Sequence, residues 1–200
     1  MIVAVDGPVA AGKGTLARLL AKHFGLAYLD TGSLYRAVAS KVLRTGAAPE
    51  QAAQSLDAAD LAAPDLRAEA VGQMASKVAA IPAVRAALLD YQRSFARNPP
   101  GAVLDGRDIG TVVCPWAEVK LFVTASPERR ANRRYLELRA KGDNVSEADV
   151  LADLIARDAR DSARDVAPLK PALDAHLLDT TDLAIEAAFE AARAKVAERL

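Results

Sequence analysis

Cysteine is nearly absent from this chain: Cys114 is the one thiol in 200 residues, so no internal disulfide framework can form. Histidine occurs twice, His23 and His176, far apart and without the spacing that metal ligands need. An excess of one charge is missing too. Twenty-six basic residues balance 26 acidic ones, which leaves no overall footprint for nucleic acid or an anionic membrane surface, so any anion must be recognised locally. No stretch approaches about 18 uninterrupted apolar residues, which argues against a membrane span. The first residues lack the layout of a secretory signal, and the expectation is a cytoplasmic protein. Abundant alanine favours helix, and the length suits one domain with a sizeable core and a small mobile insert.

Against these absences stands one loop. Gly7, Pro8, Val9, Ala10, Ala11, Gly12, Lys13, Gly14 and Thr15 form Gly-x-x-x-x-Gly-Lys directly after the apolar run Ile2-Val3-Ala4-Val5. A strand entering such a loop and a helix leaving it, here marked by Leu16, Leu19 and Leu20, point backbone amides and a helix N-terminus at a phosphate. Lys13 then reaches the β- and γ-phosphates. The competing reading is a tight glycine turn that only packs. Gly14 holds the usual Ser/Thr position and Thr15 follows, so the hydroxyl contact with magnesium is expected to be indirect.

Strand candidates at Ile2 to Val5, Ala27 to Leu29, Ala102 to Leu104, Val119 to Thr124 and His176 to Leu178 alternate with helical stretches. That order predicts an α/β fold, a five-stranded parallel sheet with helices on both faces, whose ligands bind at the carboxyl ends of the strands. Four strands run into polar residues there: Asp6, Asp30-Thr31-Gly32, Asp105-Gly106-Arg107-Asp108 and Thr124-Ala125-Ser126. The helical section from Ser33 to Arg97, broken at Gly46, Pro49, Pro64 and Pro82, is longer than a crossover requires and is expected to cover a second ligand. Leu177, Leu178, Ile185, Ala188, Phe189 and Ala192 read as the core face of the last strand and helix, and Cys114 as a buried small hydrophobe.

Arginines form a second signature. At about 100° per residue, Arg157, Arg160 and Arg164 share an arc of roughly 60° with Asp161 beside them. Arg129, Arg130, Arg133 and Arg134 share one side of the preceding helix, which Ser126-Pro127-Glu128 opens and Lys141-Gly142-Asp143-Asn144 closes. Two basic helices joined by a short turn outline a lid over transferring phosphate; a solvated face of ion pairs is the alternative. Asp105-Gly106-Arg107-Asp108 reads as a metal-side acid and a substrate clamp, against a plain Asp-Gly turn.

Together these segments resemble the bacterial cytidylate kinases, P-loop nucleoside monophosphate kinases that phosphorylate CMP and dCMP from ATP. The resemblance spans nearly the whole chain and adds Tyr28 to Arg36, Ala75 to Arg85, Asp105 to Val113 and Arg157 to Leu169 to the loop. It implies a single P-loop kinase domain with its core in residues 1–30, 98–126 and 165–200, a helical monophosphate-binding insert at 31–97 and a helical lid at about 127–164. It also implies ATP and CMP or dCMP as partners, Mg2+ as cofactor held by Thr15 and by Asp105 through water, and a monomer.

By the same resemblance Ser76, Arg85 and Asp108 read the cytosine edge, and Tyr35 packs under the acceptor. Thr31, Arg36, Arg107 and Arg164 hold the acceptor phosphate, Arg157 and Asp161 meet its sugar and phosphate side, and Arg129, Arg130, Arg133 and Arg160 approach ATP with the loop. Lys13, Arg107, Arg157 and Arg164 are the catalytic set. The chain departs from the family pattern in Thr31 for serine, in Ala10 for a loop glycine, whose methyl the backbone is expected to accept, and in lacking alternating strand pairs between Asp60 and Leu66. A different acceptor, another nucleotide or a small alcohol, is the first rival reading; a non-catalytic nucleotide-binding module is the second.

Overall fold

The computed structural model describes residues 1–199. Its strands are β1 (Ile2–Asp6), β2 (Ala27–Asp30), β3 (Ala102–Gly106), β4 (Val119–Thr124) and β5 (His176–Asp179), all parallel in the order β2-β3-β1-β4-β5. Among the described residues nine helices separate and flank them: α1 (Lys13–Phe24), α2 (Thr31–Thr45), α3 (Pro49–Gln54), α4 (Ala58–Leu61), α5 (Glu69–Val78), α6 (Pro82–Arg97), α7 (Pro127–Ala140), α8 (Glu147–Ser162) and α9 (Ile185–Ala197). A single π-helical turn, Ile109–Val113, follows β3. No helix among the described residues is long and apolar enough to cross a membrane.

Alternation along β1 builds both sides of the core. Val3 and Val5 meet Leu16 and Leu20 of α1, Leu121 and Val123 of β4, and Ala188, Ala192 and Val196 of α9. Ile2 and Ala4 point the other way, to Leu104, Ile109, Val113 and Cys114. Burial on both faces is why β1 and β3 begin as apolar runs, Ile2 to Val5 and Ala102 to Leu104, whereas β4 carries Lys120, whose ammonium reaches out to Asp174. Cys114 is buried, and desolvation pushes its thiol up to about 11, which keeps it an inert hydrophobe.

Two smaller cores stand apart from the sheet. Leu34, Val38, Val71, Val78, Val84 and Leu88 close the helical stretch between β2 and β3, which contains no strand, as the sequence between Asp60 and Leu66 leads one to expect. Ala131, Leu138, Val150 and Leu154 join α7 to α8. Each helix of that pair starts as its sequence dictates: the Ser126 and Ser146 side chains accept from the N–H groups of Arg129 and Asp149, with Pro127 at the first position of α7.

Two expectations need correction. Leu177 is 71% exposed and Ile185 58%, whereas Ala188 and Ala192 are buried. β5 is an edge strand, and α9 covers only the face bearing Leu178, so the alternate residue faces outward. Ala10 does more than accept a methyl: its φ is 60°, in the left-handed region, where a Cβ costs about 1 kcal/mol relative to glycine. Gly7 meets a stricter limit, because a Cβ there would lie 1.9 Å from the Val123 carbonyl oxygen. Ala10→Gly is expected to raise the unfolding free energy by about 1 kcal/mol in urea denaturation, whereas Gly7→Ala lowers it by several.

Candidate functional site

Parallel register aligns the strand ends. Asp30 stands opposite Asp105, so acids from β2 and β3 share one level, and Asp6 stands opposite Gly106, one residue further along, where β1 turns into the loop at Gly7 to Thr15. Gly12, at φ 90°, opens α1, and Lys13 folds back over the loop, its Nζ 3.4 Å from the Pro8 carbonyl oxygen. Burial, reinforced by the nearby Arg107 charge, lowers the Lys13 ammonium to about 8, while Asp105 and Asp30 pull the other way. Lys13 therefore remains cationic at neutral pH.

Asp105 is buried, and its Oδ2 accepts from the Tyr28 hydroxyl at 2.9 Å. Desolvation raises this carboxyl despite the Lys13 charge. Gly14 leaves the space beside it open: a Cβ there would lie 3.0 Å from Asp105 Oδ2. The Asp105 carboxylate is a hard oxygen donor of the kind that suits Mg2+, which takes one or two protein oxygens and completes its shell with water and phosphate. No cluster of three or more His, Cys, Asp or Glu among the described residues is placed to hold a metal without such help.

The acceptor side is a buried ionic network. Arg85 Nη2 donates to Asp108 Oδ2, with both side chains less than a tenth exposed, and the Arg85 guanidinium lies 5.7 Å from the centre of the Tyr35 ring. Asp161 accepts from Arg107 Nε at 3.1 Å, from Arg164 and from the Ser76 hydroxyl at 3.3 Å. Burial alone would push Asp161 up, but Arg107, Arg164 and Arg157 together hold it below the usual carboxylate range. Asp108 is raised, because desolvation there outweighs Arg85, Arg164 and Arg107. Arg157 falls to about 10 through burial and the repulsion of Arg107, against the pull of Asp161. The Nε atoms of Arg157 and Arg164 are buried without a hydrogen-bond partner in the chain, an arrangement that an anion would complete.

The structure brings most of the expected residues together. Thr31 is buried, its hydroxyl donating to the Asp105 carbonyl at 2.8 Å, and Arg36 holds the Leu66 carbonyl at 2.9 Å. On the lid, Arg130 pairs with Asp158 at 2.7 Å and reaches the Ala125 and Val9 carbonyls; Arg133 bonds Thr180, and Arg129 the Thr181 carbonyl. Arg160 Nη1 donates to Ser76 of α5 at 3.0 Å, a bond from α8 to the helical stretch between β2 and β3. Arg134 makes a parallel link to Glu69 at 2.6 Å.

Tyr28 and Thr180 were not among the expected site residues. Thr180 is buried, with its hydroxyl 3.0 Å from the Ala11 carbonyl of the loop while accepting from Arg133. The polar sequence Asp179-Thr180-Thr181 after β5 was the available signal, the same one that marked the other four strand ends.

Comparison with known proteins supplies an independent line. A family profile described as cytidylate kinase matches residues 3–64 and 56–198. A cytidylate kinase of Cereibacter sphaeroides (strain KD131 / KCTC 12085) is 66% identical over 186 residues, covering 93% of this chain and 90% of the relative. One from Paramagnetospirillum magneticum is 60% identical, covering 96% and 95%, and one from Brucella suis biovar 1 is 58% identical, covering 96% and 90%. Among solved structures, an uncharacterized protein from Eubacterium ventriosum aligns over 100% of this chain and 99% of its own at TM-score 0.57 and 15% identity. TT1252 from Thermus thermophilus aligns over 100% and 98% at 0.50 and 20%. These two likenesses speak for the fold alone.

Asp6 gives the site a pH signature. Burial raises its carboxyl from an ordinary 3.8 to about 7, against the backbone N–H groups of Gly110 and Ile109, which favour the anion. Folding thus strengthens proton binding, so the contribution of Asp6 to stability is full below about pH 4 and is lost as pH rises to about 7. Relative to wild type, Asp6→Asn is expected to gain unfolding free energy across that interval, on the order of 3 kcal/mol, as followed by calorimetry at successive pH values.

Proposed function

The chain belongs to the cytidylate kinase family, and from that premise we propose that it transfers the γ-phosphoryl group of ATP to CMP and dCMP. One observation carries the reading of its own residues: a buried Arg85–Asp108 pair lies within the charge field of Arg107 and Arg164, which in turn share Asp161, and the Nε atoms of Arg164 and Arg157 are buried without partners among the described residues. The pair offers donor and acceptor side by side. A cytosine edge is its complement, since the ring nitrogen and carbonyl accept while the exocyclic amine donates. Uracil replaces that amine by a carbonyl, which the Asp108 carboxylate repels.

In this reading the loop from Gly7 to Thr15 cradles the ATP phosphates, and Lys13 neutralises charge at the transferring group. Arg129, Arg130 and Arg133 serve the donor side, while Arg160, bonded to Ser76, belongs with the acceptor. Arg36, Arg107 and Arg164 hold the CMP phosphate, joined by Thr31, whose hydroxyl turns from the Asp105 carbonyl as residues 31–97 close. Tyr35 packs under the nucleotide, and Arg157 and Asp161 meet its sugar and phosphate. Mg2+ would be held through water by Thr15 and Asp105, and when bound with ATP it would supply charge neutralisation at the transferring phosphates.

The acceptor phosphate is already anionic near neutral pH, so no side-chain base is required. Catalysis is positioning and charge stabilisation by Lys13, Arg107, Arg157 and Arg164, with closure of the lid at 127–164 excluding water. ATP and CMP or dCMP are the partners, a cytoplasmic monomer the acting unit.

A coupled assay of ADP release over a panel of monophosphates tests the reading. Turnover is expected with CMP and dCMP, and Asp108→Ala should lower kcat/KM for CMP by about 100-fold while ATP affinity stays within about twofold. Rapid use of another monophosphate with none of CMP would overturn it.

A further inference from the structure

Asp6 takes no part in the reaction described above, yet it is 4% exposed and sits where two functional loops begin. Its two oxygens accept separately from the backbone N–H groups of Ile109 and Gly110, each at 2.8 Å. Among the described residues it has no salt bridge, so these amides are its only bonded partners. The next residue in the chain, Gly7, begins the phosphate loop. The residue immediately before the two amides is Asp108, whose carbonyl accepts from Val112 and Val113 to start the π-helical turn. Gly110 packs tightly into this joint, since a Cβ on it would lie 3.4 Å from Asp6 Oδ2 and 3.1 Å from Lys120.

We propose that Asp6 is the positioning residue for base selection: by binding both amides that follow Asp108, it fixes the carboxylate that reads the acceptor base to the strand that carries the donor loop. The inference rests on the acceptor reading given above. A π-helical turn is a costly local geometry, and it holds only where its end groups are tied down. With Asp6 in place, the Asp108 side chain meets Arg85 at a set position. Without it, one amide is released and Asp108 can shift relative to Arg85. A misplacement of about 1 Å at a reading group costs on the order of 100-fold.

Asp6→Asn tests this at nearly constant volume. Its amide nitrogen turns a donor toward one of the two N–H groups, so one bond of the pair is lost. Because a buried carboxylate is also removed, the variant is expected to fold at least as stably as wild type at pH 8. The CMP-to-UMP ratio of kcat/KM should then fall about tenfold or more while the Kd for ATP stays within about twofold, and amide exchange at Ile109 or Gly110 should accelerate. A ratio unchanged within about twofold in a folded variant would overturn the inference. Parallel loss of ATP affinity would overturn it too, assigning Asp6 to the phosphate loop instead. If the variant fails to fold, Gly110→Ala loads the same joint from its other side and is scored in the same way. A wild-type protein that uses UMP as readily as CMP would bring down the acceptor reading and this inference with it, and that outcome is visible before any variant is made.

Discussion

Parallel register is the constraint on which the site depends. Hydrogen bonding brings Asp30 opposite Asp105, so two carboxyl groups share one level at the strand ends, while Asp6, one residue further along β1 opposite Gly106, faces the other side of the sheet. Like charges at such distances in a partly dry setting are unfavourable. The fold meets this with different partners for each: Tyr28 and the field of Lys13 for Asp105, two backbone amides for Asp6, and the N–H of Ser33 for Asp30 at the start of α2. Lys13 and Arg107 are consequently held close to one another, and their mutual repulsion is part of what a phosphate relieves.

The acceptor network is held together at a cost. Removing charged groups from water is unfavourable, and replacing such pairs by packed apolar residues often stabilises a protein. Here the compensation is incomplete, as the unpartnered Nε atoms of Arg157 and Arg164 show. Burial and mutual repulsion also disfavour the charges of Arg157 and Arg164, so the cluster as it stands is short of negative partners. Arg85 and Asp108 differ, because they satisfy one another.

Much of this was legible in the sequence. The five strands are legible to within about two residues, β1 and β3 because burial on both faces leaves their starts apolar, and the others because turn or polar residues bound short apolar stretches. Ser126, Pro127 and Ser146 marked helix starts through local capping chemistry that needs no tertiary context. Other features depended on packing that local pattern does not encode. The exposure of Leu177 follows from β5 being an edge strand, and the bond of Arg160 to Ser76 joins residues 84 apart in the chain, beyond the reach of any local pattern. The left-handed φ at Ala10 contradicts the residue's own preference, so nothing local predicts it. The site residues Tyr28 and Thr180 act through single hydroxyls, and one hydroxyl at a strand end resembles any other until its neighbours are known.

The thin core between α7 and α8 has a thermodynamic consequence. Ala131, Leu138, Val150 and Leu154 hold the two helices to each other, whereas the bonds from this pair to the remainder include Arg133 to Thr180, Arg134 to Glu69 and Arg160 to Ser76. Parting polar and ionic contacts exposes little apolar surface, so the heat-capacity change of that motion is small and temperature moves its balance weakly. Ionic strength acts on it directly, by screening the same charges. The sheet and its flanking helices are held by apolar contact, whose exposure carries a large heat-capacity change, so temperature bears on that core more strongly than on the ties of the α7–α8 pair.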